Sequence, residues 1–448
     1  MTLISVAELQ ANSRTAEPIF ELTAKREVRL SRVLVAYIAM GLFFMLLPGT
    51  FLGLWNLLTI SSHRSVETVS AAWIQAHGHA QIFGWIGSFI LGIGYYSIPK
   101  LRRTKRYALW TPWTSLGMWF CGVTMRWTAG VYEWHWRTLL PLSAALEIAA
   151  FLIFFRAASR HRPTADNSKA ELDEWILVVI AGSIGWLAAL AINLASAAFL
   201  AWRATSPVLP HGFDQRFLVL QTWGFLVPFV WGFSAKWLPI FLGLRAVRSR
   251  LLLWAVAVNS AGVTAALLGL TLISTVLLLA GFTTASYALR LFEPGERPAK
   301  IKGVHQSFPI FIRIAYVWAL ISCGLAIWAG TTASSIGIWG ASRHALTVGF
   351  IALMVFSVGP RVLPAFSGMK VLFSPKLMFA ALVLLATGCL LRVSAEILAY
   401  QGFVHSAWSW LPVSAVTEMT AVTVFGVNLA LTFLREKNPT GAEYRDAA

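Results

Sequence analysis

Residues 71–99 read AAWIQAHGHAQIFGWIGSFILGIGYYSIP and contain no Asp, Glu, Lys or Arg. A helix of about 20 mostly apolar residues crosses the hydrocarbon core of a bilayer, so this stretch is long enough to span one. Working outward from it in both directions gives twelve such stretches, at 32–57, 71–99, 107–127, 138–158, 174–202, 216–242, 251–268, 272–291, 309–331, 343–367, 375–399 and 412–435. The apolar run from Leu251 to Phe292 is too long for one span, and Arg250 and Arg290 at its two ends ask for the same side of the membrane, so a hairpin is expected near Gly269. Of the 448 residues, 57% are hydrophobic and 12% charged, about half the charge of a soluble globular chain. A soluble protein is thereby excluded, and little sequence remains for a water-exposed domain.

The net charge of +17 does not point to nucleic acid, because the basic residues cluster in short loops between apolar runs, where they report topology. Lys25, Arg26 and Arg29, then Lys100 to Arg106, Arg156 to Lys169, Arg245 to Arg250, Arg297 to Lys302, Lys370 and Lys376, and Arg435 and Lys437 all fall on one side. The positive-inside rule makes that side cytoplasmic, with both termini there, as in a multi-pass protein of a bacterial-type inner membrane. The first 30 residues carry Glu8, Glu17 and Glu21 and no apolar core, so they read as a tail and not as a cleaved signal. Cys121, Cys323 and Cys389 each lie inside an apolar run, with no CxxC or CxxCH, which argues against disulfides, zinc and covalently attached haem.

The stretch 71–99 also opens a repeat. Gly84 and Pro99, Gly224 and Pro239, and Gly349 and Pro364 are each 15 residues apart, in spans 2, 6 and 10. An aromatic follows each glycine (Trp85, Phe225, Phe350) and an aliphatic precedes each proline (Ile98, Leu238, Leu363). Recurrence every four spans predicts a triplicated unit. The expected fold is an all-α polytopic membrane protein of 12 transmembrane helices in three pseudo-threefold four-helix arcs. Its parts are a tail over 1–31, a transmembrane domain over 32–435 with units at about 32–160, 174–292 and 309–435, and a second tail over 436–448.

Seven of the nine histidines, His63, His77, His79, His135, His211, His344 and His405, fall at or beyond the non-cytoplasmic span ends, and only His161 and His305 lie inside. His63, His211 and His405 read as solvated loop residues. His79 and His344 each stand five residues before a repeat glycine, at one depth, whereas the middle unit has Val219 there. Two neutral imidazoles at one level can ligate a six-coordinate haem; alternatively each is an interhelical hydrogen-bonding group. His77 lies about 200° round the helix from His79, so it needs a separate role, either in a second metal site such as copper with a partner like His135, or as an interfacial polar residue. Arg343 and Arg126 are placed to meet haem propionates or to snorkel to headgroups. Lys236 and Arg361 share one repeat position near the inner face. Glu147 in span 4 is either protonated, paired across helices or part of a proton route, and Arg392 with Glu396 forms an i, i+4 pair that can neutralise itself.

AHGHAQIFGWIGSFILGIG at 76–94 and HALTVGFIALMVFSVGPRVLPAFSG at 344–368 resemble the paired signatures of the NnrS family of nitric-oxide-response membrane proteins. More distantly they are similar to the haem-bearing helices of subunit I of haem-copper oxidases, which also has twelve spans in three arcs. That resemblance implies a haem b between His79 and His344, copper at His77, and a role in nitric oxide metabolism or tolerance. The oxidases' copper histidines on helices 6 and 7 have no counterpart in residues 216–291, and the high-spin haem ligand's position is Ser342, so oxidase-type catalysis is not implied. Two other functions remain open at this point: a quinol-linked electron-transfer subunit with a redox partner protein, and a metal-free transporter.

Overall fold

In the computed structural model, residues 26–101, 107–159, 173–332, 336–368 and 371–435 are described. Their secondary structure is helical throughout. The rods are α1 (Arg26–His63), α2 (Ala71–Leu101), α3 (Trp110–Tyr132), α4 (Trp136–Ser159), α5 (Glu174–Arg203), α6 (His211–Leu242), α7 (Ser249–Leu267), α8 (Thr271–Ala288), α9 (Phe308–Thr331), α10 (Ile336–Phe366), α11 (Pro375–Tyr400) and α12 (Ala407–Leu434). Among the described residues eleven of these are long and apolar enough to cross a membrane. The twelfth rod, α3, is the one that carries Arg126. The expected turn between α7 and α8 is present, with Gly269 at φ +82°, a left-handed conformation that glycine adopts without a Cβ clash. The three cysteines are free thiols.

Several helices run further than hydropathy predicts. α1 continues to His63, α6 starts at His211 and α10 at Ile336, because backbone hydrogen bonding continues past the first polar side chain while hydropathy counting stops there. His63 and His211 are therefore helix-end residues and not loop residues; His405 is in an exposed turn. The expected tails lie almost wholly outside the described residues, as does His161, and the described part of the first, from Arg26, is already helix.

Consecutive rods pack side by side, and α12 returns against α1 to close the ring. α2, α6 and α10 line the axis and touch one another through aromatic rings: Phe83 with Phe225 at 6.2 Å, Trp85 with Phe356 at 6.3 Å, and Trp237 with Phe366 at 6.1 Å. The triplication is visible in backbone geometry. Each axial helix opens with nine α-helical residues, ending at His79, Val219 or His344, and then widens into a π-helical segment, Ala80–Gly87, Leu220–Leu226 or Ala345–Ala352. A π segment inserts an extra residue into the turn and re-aims the side chains beside it, which is why such segments gather at functional sites. The repeat glycines admit neighbours against these wide turns: a Cβ on Gly84 would stand 2.8 Å from Phe44, and one on Gly349 would stand 2.6 Å from Trp318.

At the end of the molecule read as cytoplasmic, Lys236 reaches Asp173 at 3.5 Å and Arg361 donates to the Lys302 carbonyl at 2.6 Å. These are anchoring contacts. Beyond α8, Glu293 accepts from Arg290 at 2.8 Å and from Arg248 at 2.7 Å, and these two guanidinium bonds hold its carboxyl below the usual range. Such a group adds stability above its unfolded value of about 4.3 and loses it as pH falls through the lower folded value. Glu293→Gln is therefore expected to lower the detergent melting temperature at pH 7 and to match wild type once pH drops below that folded value. A gap that persists in acid would remove the ion-pair explanation.

Candidate functional site

A cavity of about 740 Å³ is lined by the first halves of α2, α6 and α10, within the range of about 300–1,000 Å³ typical of ligand sites. His77, His79, Arg126, Arg343, His344 and Arg392 all line it. His79 and His344 end the first nine residues of their helices, about 12 Å inside at 1.5 Å per residue.

The three histidines are engaged differently. His79 is 6% exposed, packs on Phe83 and brings Nε2 to 2.8 Å from Glu147 Oε1. Glu147, fully buried, also accepts from Asn193 Nδ2 at 3.3 Å. Of the alternatives for Glu147, pairing across helices is the one present, and it joins α2, α4 and α5. A carboxylate only accepts, so the His79 Nε2 that faces it carries the proton.

His77, on the opposite side of α2, sits over bare backbone of α1. Its Nδ1 lies 2.9 Å from the Gly49 carbonyl, and a Cβ on Gly53 would stand 2.7 Å from its ring. A carbonyl also only accepts, so Nδ1 is protonated and the lone pair is on Nε2, which has no hydrogen-bond partner among the described residues. His77 lies within electrostatic reach of His344 and Arg392.

On α10, His344 Nδ1 faces two acceptors, the Gly340 carbonyl at 2.9 Å and Glu396 Oε2 at 3.1 Å. Its Nε2 faces a donor, Arg392 NH2, at 3.3 Å. Acceptors on one nitrogen and a donor on the other set the same tautomer as in His77, with the lone pair on Nε2. Arg392 pairs with Glu396 Oε1 at 3.2 Å, yet its buried Nε and NH1 have no acceptor. The i, i+4 pair thus neutralises charge within α11 and also grips the α10 imidazole.

Arg126 is 6% exposed and makes no side-chain hydrogen bond among the described residues; the charges it senses are Glu147 and Asp214. Arg343 donates to the Trp339 carbonyl at 3.2 Å and senses Glu396 and Asp214. Three cavity residues were not picked out from the sequence. Asp214 fell in a loop because α6 was started at Arg216, and Asn193 has no distinguishing pattern. Glu418, whose Oε1 is buried without a partner, carried a usable signal as a carboxylate in mid-span. His135 is exposed, with φ +42°. No group of three or more His, Cys, Asp or Glu that could hold a metal ion occurs among the described residues. Ser342 exchanges hydrogen bonds with Ser322 at 2.7 and 2.9 Å, joining α9 to α10.

The chain is similar in fold to a solved structure described as a heme-copper terminal oxidase dimer, with a TM-score of 0.59 and 13% identity over 91% of this chain and 84% of that one. No curated protein matches. A family model matches residues 175–432, more than half of the chain, and its description assigns no activity. By that match, the chain belongs to the family described as Domain of unknown function (DUF8744).

Proposed function

We propose that this chain is a haem-binding membrane protein in which His77 and His344 hold one haem b from opposite sides of the cavity. The observation that supports the reading is the matched pair of tautomers: each imidazole gives its Nδ1 proton to a fixed acceptor and keeps its lone pair on Nε2, which in His344 accepts from Arg392 NH2 at 3.3 Å, so that Arg392 yields this position to the iron. Metal-ligating histidines are oriented in this way by the partner of the other nitrogen. His79, the ligand expected from spacing, gives its Nε2 proton to Glu147 and keeps its lone pair on Nδ1; in this proposal it ties α2 to α4 and supports the wall.

The rest of the cavity suits the same group. The acceptor-less N–H groups of Arg392 and the free end of Arg343 match the carboxylates that a haem carries, and Gly49 and Gly53 leave α1 without side chains where His77 packs. Haem held by two imidazoles takes up and returns one electron. Glu396 and Gly49 fix the planes of the two rings, and His79, Glu147 and Asn193 fix α2 against α4 and α5. Copper does not enter the proposal: His77 is assigned to the iron, and no group of three or more His, Cys, Asp or Glu that could hold a metal ion occurs among the described residues. With Ser342 bonded to Ser322, binuclear chemistry is likewise not proposed.

A quinol donor and a redox partner protein fit an electron carrier of this kind. The finer assignment, nitric oxide metabolism or tolerance at the inner membrane, is supported by the motifs at 76–94 and 344–368. The test is a pyridine haemochrome assay on the purified full-length protein, with one haem b per chain expected. A colourless, haem-free preparation would falsify the proposal and favour the transporter.

A further inference from the structure

We infer that Arg126 anchors an anion site, through which the cavity takes a monovalent carboxylate with an apolar body. Arg126 is not among the side chains assigned to haem above, so the inference goes beyond that reading and does not depend on it.

The starting point is a charge without a partner. Arg126 is 6% exposed, lines the cavity and makes no side-chain hydrogen bond or ion pair among the described residues. A guanidinium stays charged in proteins, and a charge taken out of water is costly unless it is paired. The two carboxylates within its electrostatic reach are Glu147 and Asp214, and neither meets that need. Glu147 uses one oxygen on His79 at 2.8 Å and the other on Asn193 at 3.3 Å. Asp214 also faces Arg343 and forms no ion pair among the described residues. Around the whole cavity, Arg126, Arg216, Arg343 and Arg392 stand against Asp214, Glu396 and Glu418. Positive charge is therefore in excess even with all three carboxylates ionised, and an anion from outside the chain supplies what is missing.

The surroundings set the chemistry of that anion. A guanidinium presents a planar fork that fits a carboxylate through two parallel N–H···O bonds. Asp214 lies in the fields of both Arg126 and Arg343 and offsets part of their charge, so one further negative charge completes the balance and a second is repelled. The remaining lining includes Ile82, Ile86, Trp223, Leu226 and Leu278, which suits an apolar body and not a hydrated inorganic ion. The cavity reaches the surface at Gly212, which lines it and is exposed, and a Cβ there would meet nothing within 4 Å.

The test uses the full chain purified in detergent, with its haem content measured, and benzoate as the probe. Calorimetry should show benzoate binding, and the melting temperature should rise with benzoate concentration. Benzamide, which has the same shape without the charge, should do neither. Arg126→Gln should weaken benzoate binding at least tenfold and, without the anion, melt no lower than wild type, because it removes an unpaired buried charge. An arginine with a merely structural role would lower the melting temperature on removal. Asp214→Asn should narrow the preference for benzoate over the dianion phthalate at least tenfold, and it supplies the readout if Arg126→Gln does not fold. Equal binding of benzamide, or affinity and preference unchanged in the variants, overturns the inference. Haem-loaded wild type that ignores benzoate also overturns it and leaves the haem proposal standing. Haem-free wild type that binds benzoate removes the haem proposal and leaves this one.

Discussion

His344→Ala should leave the purified protein with at least tenfold less haem per chain than wild type, while His79→Ala keeps its haem and loses stability instead. The contrast follows from the hydrogen-bond partners. Weakening the partner of a metal-bound histidine already costs about 10–100-fold in affinity, and removing a proposed ligand itself costs more. His79 instead gives its Nε2 proton to Glu147 at 2.8 Å. Its removal leaves a fully buried carboxylate with Asn193 as its remaining bond, and breaking one side of a buried pair costs about 3–5 kcal/mol in soluble proteins. The measurements are haem content per chain and the melting temperature in detergent. Haem lost from His79→Ala with an unchanged melting temperature would return the ligand role to His79.

Gly185→Ala should prevent the chain from accumulating as a folded, monodisperse species. A Cβ on Gly185 of α5 would collide with the Gly224 carbonyl of α6, inside the π segment Leu220–Leu226. The obstacle is backbone, so no side chain can rotate away, and α5 must move off α6. Overpacking costs about 1–3 kcal/mol where side chains adjust, and this case belongs at or beyond the top of that range. Gly117→Ala and Gly324→Ala are the controls: nothing lies within 4 Å of a Cβ at either position, and a helical glycine replaced by alanine gains about 0.5–1 kcal/mol. Size-exclusion profiles after solubilisation decide the matter, and a normal profile for Gly185→Ala would show that α5 and α6 tolerate separation.

The repeat shows how far spacing reaches. Gly84, Gly224 and Gly349 marked the three axial helices, because a close approach of neighbouring groups needs the absence of a Cβ and that requirement is written one residue at a time. The wide turns that begin at Ala80, Leu220 and Ala345 left no such trace, since a π segment depends on what packs around the helix. Spacing placed His79 and His344 at one depth, and each ends the first nine residues of its helix. It could not say which way the rings face. Arg392 and Glu396 were legible as a pair on one helix, whereas their grip on His344 crosses 48 and 52 residues of sequence. Asp214 lies before the hydropathy-defined start of α6 at Arg216 and Glu418 is legible as a mid-span carboxylate, whereas the arginines that face them, Arg343 and Arg126 for Asp214 and Arg392 for Glu418, stand on other helices.

The sequence by itself determined twelve long helices, the hairpin at Gly269 and the threefold repetition, all consequences of local hydrophobicity and of residues whose backbone demands are their own. Only the tertiary structure decided that His79 meets Glu147, that His77 meets the Gly49 carbonyl and that His344 meets Gly340, Glu396 and Arg392. Ring orientation follows from the rotation of each helix about its axis and from the hydrogen-bond acceptor that neighbouring helices offer, and both are set when the rods pack together.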